Sequence, residues 1–552
     1  MRKKLEKAGL RVLAVAGTHV VLLGWDVVEA SLLENLMGFA IQRTDSTENE
    51  TIWLRGMKTF PNTPLPLGGT ASSHEQPFQS FQWADYAAKP NHTYVYAITP
   101  MYGRPGALTD GTSVSVEIAT EPEWGLPHSV FFNRGAIASQ EYSRKFQGRI
   151  PSKVGQAAYD WLSRGLIEAI VAFIAKAKGQ GDALRIAIYE FQWPAILQAV
   201  RDAAGRGVDV KVLYDAIDSA SGPIHKNDEA IDALGIRDLC QGITNGKIMH
   251  NKFIVRLEGG APVELLTGST NYTENGIFGH LNCAHVVKGG AVAKAYLDYW
   301  TQISADPDLA ALRDYDDDKT PAPPSPPDTG ITQVFSPQHG TDTLARYAEI
   351  AGTATRGLFM TFAFGINADF LPVYQREDGI LRFALMDTVG VGRNLAKAKQ
   401  DIADIRAIKS TVVAIGQNIT LNAFDRWLKE ASGVAPGEHV RWVHTKFMLV
   451  DPLSDNPIVI TGSANFSDAS VSTNHENMLV VRGDTRIADI YLGEFMRQFS
   501  SYAFRDAAAA AAHGVNADDF RPQDLIPDAS WIARYMQPGS SGALRRALFS
   551  GT

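Results

Sequence analysis

The chain is 552 residues long, 45% apolar and 20% charged, which describes an ordinary globular protein with room for roughly three to four domains. Its net charge of −8 and pI near 5.9 exclude a global attraction to nucleic acid or to an anionic membrane, though not a local basic groove. Cys240 and Cys283 are the two cysteines, which excludes a disulfide framework and fits two small buried hydrophobes.

The basic start Met1-Arg2-Lys3-Lys4 and the apolar residues between Leu10 and Trp25 superficially suggest a signal peptide. Glu6 and Lys7 precede that run, Arg11, Gly17 and His19 interrupt it, and its pieces at 12–16 and 20–23 have strand length. Two β-strands are expected there. No run of about 18 apolar residues occurs, so no transmembrane helix is expected, and a cytoplasmic location follows by default. Residues 10–16, 20–25, 38–43, 51–55, 94–99 and 113–118 are short β-prone runs separated by Gly, Asn, Asp and Pro, the spacing of an all-β sandwich. With Trp25 in the place of a core tryptophan and Tyr94 in that of a corner tyrosine, residues 1–122 resemble a fibronectin type III domain. Such modules bind, space or shield, and no chemistry is expected of this one.

Residues 125–155 carry no clear signal and are read as connection and entry. Then a helical period at 159–177, a strand run at 183–189, a helix at 196–204, strands at 208–214, 252–255 and 263–267, and a helix at 292–303 alternate. That order implies a mainly parallel sheet with helices on both faces. Asp316-Asp317-Asp318 and the prolines between 321 and 327 interrupt it and read as an extended connector at 319–334. Beyond it the order returns, with helices at 343–351, 370–376, 394–403 and 485–499 and strands at 357–364, 381–386, 444–450, 458–461 and 477–481. The fold class is therefore α/β: a small all-β sandwich (1–122), then two α/β halves (123–318 and 335–505) about a pseudo-twofold axis. The tail, 506–552, carries Trp531, Tyr535 and Phe549 and is expected to pack back on the two halves.

Two stretches stand out. Met249-His250-Asn251-Lys252-Phe253-Ile254-Val255 is followed by Gly268-Ser269-Thr270-Asn271, and Val443-His444-Thr445-Lys446-Phe447-Met448-Leu449-Val450-Asp451 by Gly462-Ser463-Ala464-Asn465. The copies keep register: His250 and His444 are 194 positions apart, and so are Asn271 and Asn465. If each segment is a strand, side chains two apart share a face, so His pairs with Lys and Ser with Asn. A single His-x-Lys describes a core histidine beside a snorkelling lysine equally well. Duplication at matched spacing favours function.

These residues resemble the phospholipase D superfamily, marked by two copies of His-x-Lys-x4-Asp, each followed by Gly-Ser-x-Asn. The second copy fits in full, with Asp451. The first has Leu257 at the Asp position, which the resemblance treats as a supporting position, so rigidity more than chemistry is in question. Glu476, before Met478-Leu479-Val480-Val481, occupies a further polar position of the family pattern, and Asn282 stands 194 residues upstream of it. The resemblance implies two phospholipase D-like half-domains, one polypeptide supplying a whole pseudo-dimeric site, and a monomer.

A phosphodiester resists attack because its oxygens repel nucleophiles and its alkoxide leaves poorly. Lys252, Lys446, Asn271 and Asn465 would supply fixed donors to the phosphoryl oxygens. One imidazole attacks phosphorus while the other protonates the leaving oxygen, and a covalent phosphohistidine splits one hard step into two. By the family pattern His250 is the nucleophile and His444 the general acid and then base, an assignment that the sequence leaves open to reversal. Ser269 and Ser463 would hold local geometry, and Glu476 and Asn282 would fix a histidine tautomer, each serving the opposite half. No cofactor is expected. His280, His285 and His475 lack metal-ligand spacing and read as surface or structural, so no metal is expected. Three functions follow: a lipid phosphodiesterase or transphosphatidylase acting at a membrane or micelle surface, a nuclease of the same superfamily, against which the acidic pI counts, and a non-catalytic scaffold.

Overall fold

The computed structural model describes all residues except 64, 66–68, 126, 136–138, 221, 391–394, 417–442 and 513–523. The strands Leu10–Ala16 and Val21–Val27 read as continuous apolar runs because both of their faces are covered. Leu10, Val12, Ala14, Val21, Leu23 and Trp25 point into the core of an N-terminal β-sandwich. The alternate residues Leu13, Val15, Val20 and Leu22 join the core of the body that follows, as the two-residue period of a strand requires. With Arg2–Lys7 and Gln82–Asp85 they form one antiparallel sheet. Facing it, Gly38–Asp45, Glu50–Trp53, Thr93–Arg104, Ala107–Asp110 and Val114–Ala119 form the other. Trp25 meets Phe39 edge-on at 5.3 Å, and the Lys89 amide donates to the Tyr94 hydroxyl at 2.8 Å.

Two seven-stranded sheets follow, and they share one topology. In spatial order the first runs His128–Phe132, Cys283–Lys288, Ala261–Gly268, Lys252–Glu258, Ala183–Ile188, Asp209–Asp215, Cys240–Ile243. The second runs Gly330–Ser336, Glu476–Arg482, Ile458–Gly462, Phe447–Val450, Gly357–Phe362, Leu381–Met386, Thr411–Ile415. The expected α/β duplication is present, but the sheets are mixed, not mainly parallel. Only the last two pairings of each are parallel, and the first four are antiparallel. Helical crossovers such as Pro194–Gly205 and Ile224–Leu234 serve the parallel pairs. The motif strands Lys252–Glu258 and Ala261–Gly268, by contrast, are joined by a two-residue turn that can only reverse direction.

Three further expectations are corrected. The helix expected at 159–177 is two helices, Gln156–Ser163 and Leu166–Ala175, broken where Arg164 and Gly165 take φ of 52° and 90°. Asp316-Asp317-Asp318 lies inside a helix, Leu309–Lys319, and the strand Gly330–Ser336 begins within the stretch expected as connector. The tail packs on both bodies: Trp531 and Ile532 join the sandwich core, and Leu548 and Phe549 the core of the two halves, where Phe549 lies 6.5 Å from the Phe359 ring. Trp531 is buried against Phe39 and Phe81 and donates its indole N–H to the Leu36 carbonyl at 2.8 Å, while Phe549 lies directly over Gly24, where a Cβ would come within 2.0 Å of the Phe549 carbonyl. The halves share one apolar core through Phe132, Phe447 and Tyr491. Among the described residues no helix is long and apolar enough to cross a membrane.

Candidate active site

His250 and His444 precede their strands, Lys252–Glu258 and Phe447–Val450, instead of lying within them, so the two-residue face rule does not pair them with their lysines. The lysines turn back: Lys252 Nζ donates to the His250 carbonyl at 2.7 Å, and Lys446 Nζ does the same to His444. The residue before each histidine is pinned twice. Met249 bridges to His475 and Val443 to Leu281, both as isolated parallel bridges from one half to the other. The Met249 N–H donates to Asp215 at 2.6 Å and the Val443 N–H to Asp387 at 3.1 Å. Neither aspartate was singled out from the sequence. Burial raises the Asp215 carboxyl to about 6.

The imidazoles face each other with ring centres 6.5 Å apart, and each is held by the opposite half. His250 Nδ1 lies 2.9 Å from both carboxylate oxygens of Glu476, and His444 Nδ1 lies 2.8 Å from Asn282 Oδ1. Ser463 donates to Glu476 at 2.6 Å and Ser269 to Asn282 Oδ1 at 2.8 Å, so each serine anchors the residue that orients a histidine. With Nδ1–H committed to an acceptor, the Nε2 lone pair of a neutral imidazole is available.

Burial sets the electrostatics. It pulls His250 down to about 4, against the opposing pull of Glu476 and with the help of Lys252. It holds His444 well below its ordinary value, with Lys446 and His280 adding to the effect. Burial alone would raise the Glu476 carboxyl, but His250 and the Lys252 ammonium overcome it and keep it ionised. Lys252, almost wholly enclosed, falls to about 8. Tyr189 shapes this corner unannounced by the sequence, its ring 4.9 Å from that of His250 and 5.1 Å from Lys252 Nζ.

Asn271 and Asn465 sit on the loops after Ala261–Gly268 and Ile458–Gly462, and each has a buried Oδ1 without a partner among the described residues. Asn271 hydrogen-bonds Glu190, which burial raises and Lys252 and Asn271 lower in part. Asp451, at the far end of its strand, takes N–H groups from Thr355, Arg356 and Gly357 at 2.7 to 3.1 Å and so clamps the entry to the neighbouring strand. Leu257 is buried at a bulge opposite Ala183, and there the entry loop is closed by its own Asp182, which accepts from Lys178 N–H at 2.7 Å. Of the other histidines, His280 lies 5.6 Å from the His444 ring. His285 and His475, read as surface or structural, are fully buried.

Residues 170–303 and 386–499 match the family model described as cardiolipin synthase, PLD-like domain. No curated protein matches the sequence. Among solved structures, the chain is similar to phosphatidylserine synthase of Haemophilus influenzae, at 11% identity over 61% of this chain and 84% of that one, TM-score 0.42. It is similar to the phospholipase D family member Nuc from Salmonella typhimurium, at 21% identity over 32% and 94%, TM-score 0.23. It also aligns with polyphosphate kinase of Porphyromonas gingivalis, at 11% identity over 58% of this chain and TM-score 0.36, spanning 46% of that chain's length.

Proposed function

The two α/β halves belong to the phospholipase D superfamily, and from that premise we propose that this phosphodiesterase acts on phospholipid head groups through a covalent phosphohistidine. The observation that carries the reading is the exchange of partners across the seam, Glu476 to His250 and Asn282 to His444, which orients two imidazoles toward one space. His250, backed by a carboxylate, attacks phosphorus through Nε2 and displaces the head-group oxygen. The carboxylate stabilises the positive charge that forms on the ring as the N–P bond is made. His444, whose partner is neutral, delivers a proton to the leaving oxygen and then removes one from water or from an alcohol that competes with it. Its low proton affinity rises when an anionic phosphate settles between Lys252 and Lys446, so substrate binding brings the proton with it. Asn271 and Asn465 complete the hold on the non-bridging oxygens.

The phospholipid assignment is supported by the description of the matching family model and by the acidic chain. Purified protein and the His444→Ala variant are offered phosphatidylcholine and phosphatidylethanolamine vesicles in parallel with single- and double-stranded DNA. Head-group release that disappears in the variant is the expected result. Cleavage of nucleic acid alone, with binding that weakens steeply in salt, assigns the site to a nuclease.

A further inference from the structure

The sandwich meets the catalytic body along a cleft that contains none of the residues assigned above. One part encloses about 620 Å³ and its neighbour about 920 Å³, and Arg55, Trp83, Tyr86, Arg134, Trp161 and Arg164 line both. Spaces of this size take organic ligands.

The cleft is cationic in an acidic chain. Arg164 and Arg497 share one buried carboxylate, Glu494, at 2.9 and 2.7 Å. Arg134 brings a third guanidinium beside them. It donates to the Trp161 carbonyl and lies 4.6 Å over the Trp161 ring, and among the described residues no carboxylate pairs with it. Burial first, and Arg497 second, pull Arg134 down to about 10 against the weaker opposing effect of Glu494 and of Glu141, which also lines the cleft. Burial, opposed by Glu494 and reinforced by the two neighbouring guanidiniums, takes Arg164 to about 9. Across the cleft Arg55 is tied to the hydroxyl and carbonyl of Thr70, with no carboxylate partner among the described residues, and Arg545 reaches Gln82 at 3.4 Å. The other rim charges are matched: Arg43 with Asp85, Lys89 with Glu48, Arg144 with Glu141, and Glu123 lies beside His19. Among the described residues Arg134, Arg55 and Arg545 have no carboxylate within ion-pair distance, and Arg497 repels Arg134, so an anion between them gains guanidinium partners.

Trp83, Trp161, Met57 and Met496 supply apolar wall, between the polar side chains of Ser80, Gln82 and Ser500. A fork of guanidiniums recognises phosphate by paired N–H donors, and the apolar walls take a flat or acyl body. We propose that this cleft is a second anion site, separate from the histidine pair, for a phosphate monoester carried on an aromatic or acyl body, with Arg134, Arg545 and Arg55 on the phosphate. The assignment does not rest on the diesterase reading.

The test titrates the full-length protein with inorganic phosphate, a nucleoside monophosphate and a monomeric lysophosphatidic acid, followed by calorimetry and by tryptophan fluorescence. One organic phosphate or both should bind saturably, at least tenfold more tightly than inorganic phosphate, and which one binds identifies the body. Lys252→Ala should leave that binding unchanged, while Arg134→Gln and Arg545→Gln should each weaken it at least tenfold. Arg134 is half-buried, so its variant is checked by thermal unfolding. If it does not fold, exposed Arg55→Gln must show the loss instead. Absence of saturable binding, no preference over inorganic phosphate, binding that survives the arginine substitutions, or binding abolished by Lys252→Ala overturns the proposal.

Discussion

Glu476 lies 226 positions after His250 in the chain and holds its Nδ1 with both carboxylate oxygens at 2.9 Å. The equivalent contact in the other half, Asn282 on His444, is neutral. One histidine is therefore braced by a charge and the other by an amide, and the first prediction uses that difference. Glu476→Gln keeps the shape and removes the charge that stabilises the cationic ring. It should lower kcat on bis(p-nitrophenyl) phosphate by about 10- to 100-fold with little change in KM. Asn282→Ala should cost less. Steady-state kinetics of both variants decide it, and equal losses would contradict the asymmetry.

The Lys252 ammonium, held at about 8 by burial, must carry its charge to bind an anionic oxygen. The pH profile of kcat/KM should accordingly fall above about pH 8, approaching tenfold per unit. A profile that is flat to pH 10 would remove Lys252 from the phosphate clamp.

Acid should weaken the fold through its buried histidines, against the opposing effect of Asp215, whose raised carboxyl takes its proton in the folded state first. His250 and His475 are both held at about 4 by burial, against about 6.5 in an unfolded chain. Between those values the unfolded state binds more protons, so stability rises with pH. The contribution is complete above about 6.5 and is lost as pH falls toward 4. Denaturant midpoints measured at pH 7 and pH 5 should differ in that direction, and His475→Gln should shrink the difference.

Asn477 stitches the halves together. Its Nδ2 donates to Asn251 Oδ1 at 2.8 Å, and its Oδ1 accepts from Thr267 at 2.5 Å and from Tyr296 at 3.1 Å, all buried. Asn477→Leu strands those three partners and should cost about 2 to 4 kcal/mol, read by chemical denaturation.

Restoring the family residue at position 257 should harm the protein. Leu257 is 6% exposed and packs in the apolar core, where the loop that an aspartate would clamp is already closed by Asp182. Leu257→Asp should destabilise by about 2 kcal/mol or more, with no gain in kcat. A stabilised variant would mean that the two halves close their entry loops in the same way.

Much of the site was legible because the two motif copies carry His, Lys, Ser and Asn at one fixed offset, and Asn282 and Glu476 keep it too. Asp215 and Asp387 do the same job in each half yet escaped notice, since they precede the residues they hold by 34 and 56 positions. The longer intervening segment of the second half destroys the register that would have revealed them. The edge strand His128–Phe132 has neither alternation nor length, with all five residues buried. Apolar strand runs also do not state their direction, because burial on both faces looks the same in parallel and antiparallel pairs. The tail's aromatics signalled docking, but Trp531 could have filled any apolar notch. Only its fit against Phe39 and Phe81 selects the sandwich.

The exchange of orienting side chains also bears on biosynthesis. During translation His250 is made 226 residues before the carboxylate that holds it, a delay of roughly 10 to 45 s at about 5 to 20 residues per second. Until then the His250 imidazole has no carboxylate to fix its tautomer. The pairing that orients His250 is therefore among the last features of the two halves to become possible during synthesis.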